Sequence, residues 1–129
     1  KRDLPDVVRA IALALEGGDG VVVFPEGTST NGAGVIEFRT SLLAPAAQAR
    51  LPVHTATLSY GVPAGERRAS DSVCWWGDAA FVPHAWGLLK LRAIDARLEF
   101  GAQAVVSDDR KQLAEALRAA IAARFRPVR

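Results

Sequence analysis

Residues 21–30, VVVFPEGTST, constrain the fold of this chain more than any other stretch. Four consecutive β-branched and aromatic residues are the pattern of a strand that is apolar on both faces, as a central parallel strand is. The run then stops on Pro25, Glu26, Gly27 and the hydroxyl residues Thr28, Ser29 and Thr30. Pro25 fixes the direction in which the backbone leaves the sheet, and Gly27 permits a turn or a close approach where a Cβ would intrude. Ligand sites in open α/β sheets lie beyond the carboxyl ends of the strands. Glu26 therefore stands where a carboxylate can accept hydrogen bonds from the hydroxyls of a polyol. It can equally accept from backbone amides of its own loop, and spacing leaves both readings open.

The rest of the chain alternates helical and strand patterns. Leu4, Val7, Val8, Ile11 and Leu15 recur at helical spacing behind Asp3 as cap, and Gly17 and Gly18 end that helix. A second helix is expected over residues 41–50, with Pro45 tolerated only near its first turn. Residues 51–60 and 93–101 read as further strands, residues 61–72 as a loop, and residues 79–91 as a short apolar helix. The last helix is expected to start at Ser107 as cap. It carries Leu113, Leu117, Ala120, Ile121 and Phe125 on one side, with Arg110, Lys111, Arg118 and Arg124 elsewhere around it. Together these predict one α/β domain, a partly parallel central sheet flanked by helices.

Composition excludes several alternatives. With 129 residues, 50% of them hydrophobic and 23% charged, the chain is long enough for one core. A formal net charge of +2 gives nucleic-acid binding no support. The single cysteine, Cys74, has no disulfide or metal-ligand partner in sequence and is expected to be a small buried hydrophobe in a reducing compartment; no metal site is expected. No segment reaches the roughly 18 to 20 apolar residues that span a bilayer. Gly32, Ala33 and Gly34 lack the third glycine of a dinucleotide fingerprint, and no nucleophile elbow surrounds a serine or Cys74. Trp75, Trp76, Phe81, Val82, Trp86, Leu88 and Leu89 concentrate large apolar side chains, either as core or as a surface that enters a membrane interface, with core packing the default.

The string FPEGT at residues 24–28 resembles the FPEGTRS signature of the glycerolipid acyltransferases, the lysophosphatidic acid acyltransferase superfamily. Phe38 and Arg39 match the phenylalanine and basic residue that follow that signature, LPVHTA at residues 51–56 loosely matches a later VPVVPV-like strand, and WWGDAAFVPHAWGLL at residues 75–89 is similar to a downstream region of bacterial members. The resemblance implies a glycerol-3-phosphate (1)-acyltransferase-like fold. It also implies transfer of a fatty acyl chain from acyl-CoA or acyl carrier protein, as co-substrate rather than cofactor, to the hydroxyl of a lysophospholipid such as 1-acylglycerol-3-phosphate. Glu26 and Gly27 would bind the acceptor, Thr28 would shape the same loop, Arg39 would meet the acceptor's phosphate or other polar head, and Pro52 would help floor the acyl-donor site. Arg39 is also readable as a solvated charge at a helix start.

Two departures from the family pattern widen the range of acceptors to include lyso-ornithine lipid: Ser29 replaces an arginine, and Thr55 replaces the second proline of the later strand. The family's catalytic base is a histidine oriented by an aspartate five positions on, in an HxxxxD motif. Five residues after His54 stands Ser59, and five after His84 stands Leu89. His54 is therefore expected as a hydrogen-bonded core residue, and the catalytic pair upstream of Lys1. Residues 1–129 are then the carboxyl-terminal portion of one acyltransferase domain, inactive by themselves, in a protein at the cytoplasmic face of the inner membrane. Arg124, Arg126 and Arg129 would face anionic lipid there, or form a solvated tail. A non-catalytic phospholipid-binding module is the competing class.

Overall fold

The computed structural model describes residues 4–128. Helix α1, Leu4–Glu16, carries the expected apolar periodicity, while Asp3, its expected cap, lies outside the described residues. The helix ends as its glycines predict. Gly18 takes a φ of +82°, its N–H donates to Leu15 O (3.1 Å), and Asp19 N–H donates to Ala14 O (2.9 Å), the paired bonds of a Schellman motif.

The expected helix over residues 41–50 is two pieces, a 3₁₀ turn at Thr40–Leu43 and a short α2 at Ala44–Gln48. Pro45 is the reason. It has no N–H to donate back along the chain, so the α-helix starts afresh with Pro45 in its first turn. At its end Arg50 adopts a left-handed φ of +48°, and Leu51 N–H returns to Ala46 O at 2.9 Å.

Residues 21–24 carry no ladder hydrogen bonds, so the expected strand is not formed among the described residues. The exposures alternate as in a strand nonetheless: Val21 and Val23 are half-buried, whereas Val22 and Phe24 are 85% and 74% exposed. The sheet of the described residues has two strands, β1 (Ala56–Gly61) and β2 (Asp95–Phe100), paired antiparallel from Ala56 opposite Phe100 to Gly61 opposite Asp95. An isolated bridge between Val53 and Val105 continues the contact. Between the strands run a short α3 (Ala69–Ser72) and α4 (Phe81–Leu88).

The period of two sorts these strands in an unusual way. Ala56, Leu58 and Tyr60 share a face with Ala96, Leu98 and Phe100, and on it Leu58, Leu98 and Phe100 are exposed. The opposite, polar face is turned inward: Thr55 and Thr57 are buried, and Ser59 Oγ donates to Arg126 O (3.0 Å) in the carboxyl-terminal tail. Buried Thr55 places His54 outward, so the expectation of a core histidine is corrected to an exposed one.

The last helix, α5 (Arg110–Ala122), presses Leu113, Ala114 and Leu117 onto Leu43 and Ala47, with Phe38, Ala46, Val53 and Val105 packed around them. Its cap is Asp109, not Ser107. Ser107 Oγ instead accepts from Asp109 N–H (3.1 Å) and closes the preceding turn. The N–H groups of Gln112 (3.0 Å) and Lys111 (2.6 Å) donate to the Asp109 carboxylate and hold its pKa below the ordinary 3.8. The folded state thus binds this proton more weakly than the unfolded chain. The cap stabilises above the ordinary value, and its contribution disappears as pH falls through the lowered one. Asp109→Ala is expected to lower the melting temperature at pH 7, with the gap to wild type narrowing as the pH is taken below 3.8. A gap of constant size across that range in thermal melts would contradict the capping role.

Candidate functional site

The chain from Pro25 to Arg39 forms a loop whose ends are tied together. Gly27 N–H donates to Phe24 O (3.1 Å), closing a turn with proline second and glycine fourth, the places these residues favour in type I turns. Arg39 N–H then donates to Pro25 O at 2.7 Å, which closes the neck. Phe38 packs against the core, and the extended backbone at Arg39 (φ −72°, ψ 97°) turns the next side chain to the opposite side. The Arg39 side chain therefore lies across Gly27.

That contact explains the glycine. Gly27 has a φ of +67°, and a Cβ there would stand 2.6 Å from Arg39 Cδ and closer still to Nε. Only a residue without a side chain lets the arginine stem cross at this height. Glu26, Gly27 and Arg39, singled out from sequence as one site, are brought together. Thr28 sits exposed on the same turn, and its hydroxyl turns to Ser29 O (3.5 Å). Pro52 is exposed in the extended stretch beyond α2, and among the described residues no hydrogen bond links it to the Glu26 turn.

Glu26 is half-buried, and its Oε1 accepts the backbone N–H of Ile36 at 3.1 Å. The amide-accepting reading of this residue holds in the structure, yet it uses one oxygen and leaves the other to accept from elsewhere. Among the described residues neither Glu26 nor Arg39 has an ion-pair partner, so a carboxylate and a guanidinium flank the turn without neutralising one another. Two participants were invisible in the sequence: the Ile36 amide, and Arg118 of α5, whose Nε donates to Ile36 O (3.1 Å) and whose Nη2 donates to Val35 O (3.3 Å).

The far side of the loop is held by the tail. Val128 N–H donates to Gly32 O (2.9 Å), while Thr30 Oγ1 and Asn31 Oδ1 accept from Gly32 (3.2 Å) and Ala33 (3.1 Å). Cys74 lies near the Gly32–Val128 contact and is half-buried. Burial, reinforced by the Asp71 charge, pushes its thiol pKa up, the wrong direction for a nucleophile. The expected core packing of the aromatic group is corrected. Trp75, Trp76, Phe81, Val82, Trp86 and Leu89 are exposed, and the indole N–H groups of Trp75 and Trp76 donate locally to Ala79 O (2.6 Å) and Ser70 O (3.2 Å). An open groove of about 320 Å³ between α1 and α2, lined by Leu15, Pro45 and Leu51 among others, includes none of Glu26, Gly27 and Arg39. Among the described residues no helix is long and apolar enough to cross a membrane, and no group of three His, Cys, Asp or Glu side chains is placed to hold a metal ion.

Residues 1–59, which include this turn, match the family model for acyltransferases. The chain is 35% identical over 112 residues, 78% of its length, to a lyso-ornithine lipid O-acyltransferase of Rhizobium meliloti, and 34% identical over 120 residues, 83% of its length, to one of Brucella abortus. A 1-acyl-sn-glycerol-3-phosphate acyltransferase of Neisseria meningitidis is 28% identical over 128 residues, 95% of the chain. The chain spans half or less of these curated relatives, the matches covering 38%, 45% and 49% of their lengths. No solved structure matches. The turn that joins Glu26, Gly27 and Arg39 thus lies within the matched region, and the chain belongs to the glycerolipid acyltransferase family.

Proposed function

We propose that this chain supplies the acceptor-binding part of an O-acyltransferase that moves a fatty acyl group from acyl-CoA or acyl carrier protein to the hydroxyl of a lysolipid. The observation that carries the reading is the crossing of Arg39 over Gly27 beside a half-buried Glu26, which borders one spot with an acceptor of hydroxyl protons and a donor fork for an anionic or polar head. In the proposed reaction the acceptor oxygen attacks the thioester carbonyl, its proton passes to a histidine base, and the thiol of the donor leaves. That histidine and its aspartate are assigned to sequence outside residues 1–129, since neither His54 nor His84 has an aspartate five positions later.

Lyso-ornithine lipid is the favoured acceptor within this class. Ser29, exposed and uncharged, stands where the family signature carries an arginine, so Arg39 is the sole cation within residues 24–39, fewer charges than a phosphomonoester head invites. Two of the relatives above bear that acceptor in their names. The proposed fold remains the α/β arrangement with a partly parallel central sheet, residues 21–24 and β1 being strands whose further neighbours lie in the rest of the protein. The exposure of Val22 and Phe24 and the open apolar face of β1 and β2 support it. Peripheral attachment at a membrane surface is proposed with it, since the acceptor is a lipid and the exposed aromatic side chains suit the interface.

In the complete protein Glu26→Ala is expected to reduce kcat/KM for the acceptor about thirtyfold, the scale of one hydrogen bond to a charged group at about 2 kcal/mol. The assay pairs acyl-CoA and acyl carrier protein donors with lyso-ornithine lipid and lysophosphatidic acid, and a variant as active as wild type on both acceptors would end the acceptor-site reading. Lipid binding without turnover in any pairing would favour a non-catalytic module instead. Gly27→Ala forces a side chain into a left-handed φ and against Arg39, and is expected to cost about 1–2 kcal/mol of stability and to raise the acceptor KM. Unchanged melting and unchanged kinetics in that variant would show that Arg39 does not cross the turn.

A further inference from the structure

Glu26 is gripped by a peptide group that is itself gripped from behind. The N–H of Ile36 donates to Glu26 Oε1, and the carbonyl of the same peptide unit is Val35 O. A peptide is planar and trans, so its C=O and N–H point in opposite directions. Arg118 donates from Nη2 to Val35 O at 3.3 Å and from Nε to the next carbonyl, Ile36 O, at 3.1 Å. One fork thus holds two successive carbonyls and aims the intervening N–H at the carboxylate. The bonds also run in series, from guanidinium to carbonyl, through the peptide, to carboxylate, and each polarises the next.

The rigid side of this linkage is the core. Leu113, Ala114 and Leu117 are buried against Leu43 and Ala47, which fixes the helix that carries Arg118 relative to the 3₁₀ turn starting one residue after Arg39. Arg118 itself is exposed and has no carboxylate partner among the described residues, so both hydrogen bonds of its fork are spent on the loop. We infer that Arg118 is a positioning residue for Glu26, orienting the 35–36 peptide so that one carboxylate oxygen is fixed and the other is presented to the acceptor hydroxyl. This rests on the acceptor-site reading above.

The test uses the complete protein with Arg118→Met, which keeps the stem and removes every donor, Arg118→Lys, which restores a cationic donor group without the fork, and Glu26→Ala in parallel. Expected for Arg118→Met is an acceptor KM raised about tenfold, the scale of a charge-assisted hydrogen bond, with the donor KM unchanged and faster hydrogen exchange at the Ile36 amide. Arg118→Lys should recover part of both effects. Acceptor KM and Ile36 exchange both equal to wild type in Arg118→Met, beside an impaired Glu26→Ala, would overturn the role of Arg118 and leave the acceptor site standing. Equal loss for donor and acceptor with a lowered melting temperature would reduce Arg118 to a structural contact and also overturn it. Full activity in Glu26→Ala would remove the acceptor site, and the inference with it.

Discussion

The packing of Leu113, Ala114 and Leu117 of α5 onto Leu43 and Ala47 is the contact on which the arrangement of the described chain depends. It is small, and burying each leucine contributes about 2 kcal/mol. Its position matters more than its size. Leu43 belongs to the 3₁₀ turn that begins one residue after Arg39, and Phe38 packs on the same cluster from the other side of that residue. The core thus holds the chain at Phe38 and again at Leu43, on either side of Arg39, whose side chain crosses the Glu26 turn. A helix more than 70 residues away in sequence sets the geometry of the site.

A loop of this length between closed ends would have many conformations, and each additional tie removes some of them. The ties are distributed around it: Arg39 N–H on Pro25 O at the neck, Ile36 N–H on Glu26, the Arg118 fork on residues 35 and 36, and Val128 N–H on Gly32 O at the far side. Each is a single hydrogen bond or a pair, worth about 1 kcal/mol net, so none holds the loop alone. Two of these ties are internal to the loop, and the other two come from α5, which the core holds, and from the carboxyl-terminal tail. Preorganisation of Glu26 is therefore a property of the whole described unit rather than of the FPEGT string.

Much of this was legible in the sequence, for physical reasons that differ from residue to residue. Glu26 and Gly27 were readable because proline, carboxylate and glycine in succession specify a turn and a chemistry together. The resemblance added Arg39, and the structure explains it through Phe38 in the core and Arg39 opposite. The periodicities of α1 and α5 are local properties and gave those helices, whereas α4 was suggested by an apolar segment of irregular period. Pro45 marked the break in the second helix without revealing that a 3₁₀ turn would precede it. Ser107 and Asp109 are both good caps two residues apart, and only the geometry of the Lys111 and Gln112 amides chooses between them. Arg118 was unreadable, since an arginine on a helix looks like any solvated charge until the carbonyls it faces are known. Strand pairing was unreadable for the same reason: residues 21–24 have the composition of a central strand, but a strand is defined by its neighbours.

A two-stranded sheet is marginal alone and normally turns its apolar face inward. Here the inward face holds Thr57 and Ser59, while Leu58, Leu98 and Phe100 point out, joined as exposed apolar groups by Val22 and Phe24. Exposed apolar groups of that size mark places where something else packs. The proposed sheet meets this condition. It gives β1 and residues 21–24 further neighbours and covers the open face with another layer, as an α/β architecture requires. Residues 21–24 run directly into Pro25 and Glu26, so whatever pairs with them also bounds the Glu26 turn. On the proposed reading the groups that complete the sheet and the groups that complete the chemistry would arrive together, with exposed Val22 and Phe24 beside Glu26 as the seam between them.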